Sequence, residues 1–257
     1  MLSKNKIKYI RSLEQKKYRR QEGAFIAEGY KTVGDLLFDG FKPLLIIHTE
    51  EWKPPVHLSS CVERIIVSDE ELKKASLLAH PQQVMVVFEL PQEEGDALNE
   101  ITQIAKSELV LCLDGVQDPG NLGTIIRTAD WFGIKHIICS LQTADAFAPK
   151  VVQATMGSIG RVNVHYCDIP SFLNTLPPNT PVYGAMLNGD SVYSLDLGDN
   201  GVVIMGNEGN GISREVQKLV TKKITIPSFQ TGNIIADSLN VSIATAIICS
   251  EFYRKKR

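Results

Sequence analysis

Apolar residues recur along the first ninety positions in two rhythms. Ile7, Ile10 and Leu13 share one side of a basic segment and predict a helix, and the run Ala24-Phe25-Ile26-Ala27 predicts a strand. Val33, Leu36 and Leu37, at i, i+3 and i+4, predict a helix over 30–38 with Gly40 placed to end it. Strands are expected over 44–48, 64–67 and 84–89, and Ser68 with Glu71 forms an S-x-x-E capping box for a helix reaching about residue 78. Strand and helix alternating at this spacing predict a small α/β domain.

The polar, acidic stretch Pro91-Gln92-Glu93-Glu94-Gly95-Asp96-Ala97-Leu98-Asn99-Glu100 reads as a linker, dividing the chain into domains over 1–95 and 105–257. Beyond it the alternation restarts. Strands are expected over 109–113, 136–139, 162–166, 182–186, 202–205 and 223–226, and helices over 121–132, 149–155, 213–220 and 238–254. Several of these strands are apolar on both faces, as a mostly parallel sheet covered by helices requires.

Composition adds limits. The 257 residues are 44% hydrophobic and 22% charged, an ordinary globular balance that excludes disorder as the main state. No apolar run approaches the roughly 18–20 residues that span a bilayer, and the polar, basic N-terminus has no signal-peptide core, so a cytoplasmic protein is expected. Cys61, Cys112, Cys139, Cys167 and Cys249 are far apart, with no C-x-x-C pair and no clustered histidine, which predicts small core residues and no metal site.

The formal net charge of −2 hides an uneven distribution. Residues 1–20 carry eight basic residues, Lys4, Lys6, Lys8, Arg11, Lys16, Lys17, Arg19 and Arg20, against Glu14, and the chain ends Arg254-Lys255-Lys256-Arg257. An acidic body with two basic ends fits either solubilising tails or contacts to nucleic-acid phosphates.

In parallel sheets ligands bind beyond the carboxyl ends of the strands, and three segments there stand out. In Asp118-Pro119-Gly120-Asn121-Leu122-Gly123, turn and capping preferences account for the turn but not for Arg127 amid Ile125, Ile126 and Ala129. The loop Gly206-Asn207-Glu208-Gly209-Asn210-Gly211 lacks the G-K-[ST] and G-x-G-x-x-G spacings, and Glu208 stands where a phosphate would sit. It suits a cationic or neutral ligand approaching the backbone closely. Ser238-Leu239-Asn240-Val241-Ser242 opens the terminal helix, where Asp237 or Ser238 serves as N-cap or Ser238 and Asn240 face a ligand.

Taken in this order, the three segments resemble the motifs of the SpoU/TrmH family of RNA ribose 2′-O-methyltransferases. The segment Pro149-Lys150-Val151-Val152-Gln153-Ala154-Thr155-Met156-Gly157 fits the family's interior. Phe25-Ile26-Ala27-Glu28-Gly29 and Gln83-Val84-Met85-Val86-Val87 are similar to the RNA substrate-binding domain, of ribosomal-protein-like fold, that often precedes it. The resemblance implies a parallel-sheet α/β domain with a deep C-terminal trefoil knot. S-adenosylmethionine would be held in the knot at Gly206, Ile226 and Leu239, with Met186 and Leu187 beside them. Arg127, Asn121, Glu208, Ser238 and Asn240 would form the catalytic set.

The implied reaction is attack of a ribose 2′-hydroxyl on the sulfonium methyl group, in ribosomal RNA before transfer RNA, by a homodimer joined through the methyltransferase domain. Because a guanidinium stays protonated, Arg127 fits phosphate anchoring and alkoxide stabilisation better than proton removal. The loop 228–237 is longer than the family usually shows, and Phe229 within it either stacks on a base or packs on its own domain. An RNA-binding protein without catalysis is the alternative of another class. A dinucleotide enzyme lacks its fingerprint loop.

Overall fold

The computed structural model describes residues 2–92, 97–229 and 238–254. The chain forms two compact units. One comprises Met1–Gln92 with Asp145–Arg161, the other Glu93–Ala144 with Val162–Arg257.

The first unit opens with α1 (Lys4–Ser12) and α2 (Lys16–Glu22), followed by β1 (Ala24–Glu28), α3 (Tyr30–Phe38), β2 (Pro43–His48), β3 (Glu63–Ile66), α4 (Asp69–Ala75) and β4 (Val84–Glu89). Its sheet has the order β1-β4-β2-β3, antiparallel except for the β2–β3 pair. Ile10, Leu13, Ile26, Ile47, Leu72 and Met85 share a core on one side. Phe25 stacks on Phe88 at 5.6 Å and meets Phe147 at 4.8 Å. The expected capping box is formed, with Ser68 and Glu71 each accepting from the other's backbone.

The single basic helix expected at the N-terminus is broken in two. The Arg19 guanidinium, 2% exposed, sits at the break, donating to Leu13 O at 2.8 Å, to Glu14 O at 2.7 Å and to Asp145 Oδ2 at 2.7 Å. Arg19 is therefore removed from the basic surface, and Lys6 is paired with Glu63, while Lys4, Lys8, Arg11, Lys16, Lys17 and Arg20 remain exposed.

The second unit begins with α5 (Ala97–Ile104), then β5 (Leu109–Asp114), α6 (Pro119–Trp131) and β6 (His136–Ser140). The chain next contributes α7 (Pro149–Thr155) and a 3₁₀ turn, Ser158–Gly160, to the first unit, where α7 packs on β1 and Arg161 pairs with Asp39 at 2.9 Å. It returns as β7 (Asn163–Cys167), α8 (Ile169–Asn174), β8 (Val182–Ser191), β9 (Gly201–Gly206), α9 (Arg214–Gln217), β10 (Lys222–Thr225) and α10 (Val241–Tyr253). Its sheet, ordered β10-β8-β9-β5-β6-β7, is parallel throughout, as the two-faced apolar strands predict.

Four local expectations are corrected. The last four residues of the expected linker, 97–100, open α5, whose Ile101 and Thr102 are buried. Helix α8 lies where none is predicted, capped by Asp168 and only six residues long. Strand β8 runs on through polar residues to Ser191, because Ile224 and Thr225 pair with Asp190 and Ser191 after a shift of register. The terminal helix starts at Val241 with Asn240 as N-cap, so Ser238 is not its cap; Asp237 lies outside the described residues.

Cys112, Cys139 and Cys249 are buried and Cys61 is exposed. Burial pushes the Cys249 thiol up to about 12 and that of Cys167 up to about 11, so neither is a thiolate at neutral pH. Among the described residues no helix is long and apolar enough to cross a membrane.

Candidate active site

Three chain segments converge at the carboxyl ends of β5 and β9. Asp118 caps α6, its Oδ1 accepting from Asn121 N at 2.8 Å, with Pro119 in the first turn where its missing N–H costs nothing. This fixes Asn121 in the first turn. Leu122, Gly123, Ile125, Ile126 and Ala129 bury one face of α6, which turns Arg127 outward. Its apolar neighbours in sequence are thus not its neighbours in space.

Strand β9 ends at Gly206 and the chain folds back on itself, Asn207 and Gly211 exchanging backbone hydrogen bonds at 3.0 and 2.9 Å. A Cβ on Gly206 would overlap the Gly211 carbonyl carbon and the Ile212 nitrogen, so only glycine fits. Asn207 holds the loop from both ends of its amide. Its Oδ1 accepts from Gly209 N and Asn210 N, both at 3.0 Å, and its Nδ2 donates to Gly115 O at 2.8 Å. Sequence reasoning assigned Asn207 no role, although an Asn opening a glycine-rich loop is the signal of an Asx turn.

Hydrogen bonds join the three segments in a row. Asn240 Nδ2 donates to Asn121 Oδ1 at 2.9 Å, and Asn121 Nδ2 donates to Glu208 Oε1 at 2.9 Å. Asn240 Oδ1 meanwhile accepts from Ser242 N, Ser242 Oγ and Ile243 N at 2.9, 2.7 and 3.3 Å. The direction of this chain is set at both ends. The Glu208 carboxylate can only accept and the helix N–H groups can only donate, so each amide has one orientation that satisfies both neighbours.

Beside this row lies a cavity of about 660 Å³. Gly206, Ile226, Leu239, Met186 and Leu187 all line it, together with Glu208 and Ser238. Its inner wall is apolar, formed by Met205, Ile224, Val241, Ala244 and Ile248, and Glu208 is the only charged residue among the described lining. Such a cavity takes a largely apolar or aromatic ligand carrying positive charge, read by backbone groups.

The structure thus joins Asn121, Glu208 and Asn240 by hydrogen bonds and sets Ser238 in the cavity wall. Arg127 does not join the row. It stands exposed on α6 and bonds to no described residue, leaving its five donors for a ligand. Phe229 is 83% exposed, and the remainder of its loop, 230–237, lies outside the described residues.

A parallel α/β unit with a ligand cavity in the loops at its strand ends defines a broad class of binding and catalytic domains. Similarity to known proteins narrows it. Residues 108–250 match the SpoU rRNA methylase family and residues 4–86 the MRM3-like substrate binding domain. The chain belongs to the SpoU methylase family. It is 30% identical to the 23S rRNA (guanosine(2553)-2′-O)-methyltransferase RlmP of Bacillus subtilis, across 95% of this chain and 94% of that protein. A TrmH-family protein from Porphyromonas gingivalis superposes with a TM-score of 0.87 at 41% identity, covering 99% of both chains. An AdoMet-bound rRNA methyltransferase from Sinorhizobium meliloti gives 0.83 at 32%, covering 99% of this chain and 96% of that one.

Proposed function

We propose that this protein transfers a methyl group from S-adenosylmethionine to a ribose 2′-hydroxyl of ribosomal RNA. The observation that carries the reading is the Asn240–Asn121–Glu208 row beside a cavity whose one described charge is negative. Its support from relatives is a ribosomal-RNA methyltransferase matched from end to end, including the substrate-binding half.

The cavity fits the cofactor by its chemistry. Gly206 lets the loop close tightly on Gly211 and Ile212 in the cavity wall, the inner wall is apolar, and Glu208 attracts a cation. Gly206, Ile226 and Leu239 would hold the nucleoside, with Met186 and Leu187 beside it. When bound, S-adenosylmethionine supplies an electrophilic methyl group whose transfer to the ribose oxygen leaves a neutral thioether.

The chain's own residues align and deprotonate. Asn121, itself held by Asn240, fixes Glu208 through Oε1, and Oε2, 3.5 Å from Asn207 Nδ2, would accept the hydroxyl proton, directly or through water. Arg127, with its donors uncommitted, would clasp the phosphate next to the target ribose and stabilise negative charge developing on the attacking oxygen. Ser238 would hydrogen-bond the substrate across the cavity mouth.

The exposed lysines and arginines of α1 and α2 would contact RNA phosphates. Trp131 on α6, 84% exposed, and Ile243 on α10, 52% exposed, lie on two helices that pack together and support a homodimer through the methyltransferase unit. A trefoil crossing of the C-terminal chain and a cytoplasmic location complete the reading. Incubating the purified protein with labelled S-adenosylmethionine and ribosomal RNA from cells lacking it, then mapping the methyl group, tests the proposal.

A further inference from the structure

A second cavity, of about 440 Å³, opens at the carboxyl ends of β5, β6 and β7. The loop at Asn207, Asn210 and Gly211 lines both this cavity and the first, so a ligand here lies across one loop from the proposed reaction. The proposed methyl transfer makes no use of this cavity.

Its lining selects a ligand. The charged residues are all acidic, Asp114, Asp168 and Glu215, with no lysine or arginine among the described lining, so a phosphate would be repelled. Two of these carboxylates already have structural tasks, Asp114 Oδ2 accepting from Ser213 N at 2.7 Å and Asp168 Oδ2 from Ser171 N at 2.9 Å. Gln117 and Gln142 are exposed, and their amides make no hydrogen bond with a described residue. Leu141, 65% exposed, and Pro170 give an apolar surface beside them.

Uncommitted carboxamides read the donor–acceptor edges of bases, and carboxylates accept from exocyclic amino groups. Flat apolar surface suits an unstacked ring, the form in which RNA sequence is chiefly read. We propose that this cavity takes a splayed-out nucleobase carrying an exocyclic amino group, from a nucleotide flanking the methylated one. The inference rests on the proposed RNA substrate and adds to it a specificity pocket. Gln117 and Gln142 address the base edge, Leu141 covers its face, and Glu215 accepts from its amino group.

The test compares wild type with Gln117→Ala/Gln142→Ala, Leu141→Asp and Leu141→Tyr, using ribosomal RNA from cells lacking the protein and labelled S-adenosylmethionine. The double variant and Leu141→Asp should lose about tenfold or more in kcat/KM for RNA, carried by KM. Cofactor affinity and melting temperature should stay at wild-type values, and Leu141→Tyr, which restores a flat apolar cover, should recover most of the activity that Leu141→Asp loses. A double variant and a Leu141→Asp variant within about twofold of wild type would overturn the pocket while leaving the methyltransferase reading intact, as would a loss that follows cofactor affinity or melting temperature. A wild-type protein that transfers no methyl group would overturn the functional reading, and the pocket with it.

Discussion

Asn121 and Glu208, 87 positions apart in the chain, meet at 2.9 Å between Nδ2 and Oε1. The contact makes a loop from β9 and the first turn of α6 into one chemical unit, and the bond from Asn240 adds the start of α10. Replacing Asn121 with Asp keeps the shape and sets two carboxylates face to face. The variant should lose roughly a hundredfold in kcat near neutral pH, because a displaced Glu208 loses its alignment. Like charges raise proton affinity, so activity should partly recover as pH falls and one carboxyl becomes protonated. Single-turnover rates across a pH series check both parts.

Gly206→Ala tests the loop itself. The new methyl group would overlap the Gly211 carbonyl carbon and the Ile212 nitrogen, so the loop must shift. A cost of about 1–3 kcal/mol in denaturant unfolding is expected, with a larger proportional loss of cofactor affinity by titration.

Glu28 gives the first unit a pH dependence. It is 6% exposed, accepts from Leu77 N at 2.9 Å and from the Ser76 hydroxyl, and has its proton affinity raised chiefly by burial, against the pull of those two bonds. A carboxyl whose folded-state pKa lies above its unfolded value contributes stability that is full below the unfolded value and lost as pH rises through the folded one. Wild type should therefore lose stability relative to Glu28→Gln, which mimics the protonated acid, as pH rises through and just above the usual carboxylate range. Paired melting curves from pH 4 to 7, about that range, give the comparison.

The basic N-terminus should act by charge. Replacing Lys8, Arg11, Lys17 and Arg20 with Ala removes exposed cations and leaves the buried Arg19 in place. RNA binding should weaken and its logarithmic dependence on salt become shallower by about 0.7–0.9 for each phosphate that is no longer neutralised, with cofactor binding unchanged. An unaltered salt slope would assign these residues to solubility alone.

The features legible in the sequence were those with local causes. The Ser68–Glu71 box, the alternating strands and the Gly206–Gly211 loop announce themselves through spacing and residue type. Helices α5 and α8 were obscured by the linker-like polar run before Ile101 and by Pro170, although Ile169, Phe172 and Leu173 of α8 stand at the helical spacing i, i+3 and i+4. The grouping of Asp145–Arg161 with the first unit depends on partners far away in sequence, Asp39 for Arg161 and Arg19 for Asp145. The site shows the same division. Asn121, Glu208 and Asn240 were visible as candidates, but the direction of their hydrogen bonds and the organising amide of Asn207 needed three dimensions.

The most direct test is to map the product of methyl transfer onto ribosomal RNA from cells lacking the protein. The account predicts one alkali-resistant, 2′-O-methylated linkage, with transfer abolished by Arg127→Ala while RNA binding persists. A methyl group found on a base, or no transfer from bound S-adenosylmethionine, would contradict it.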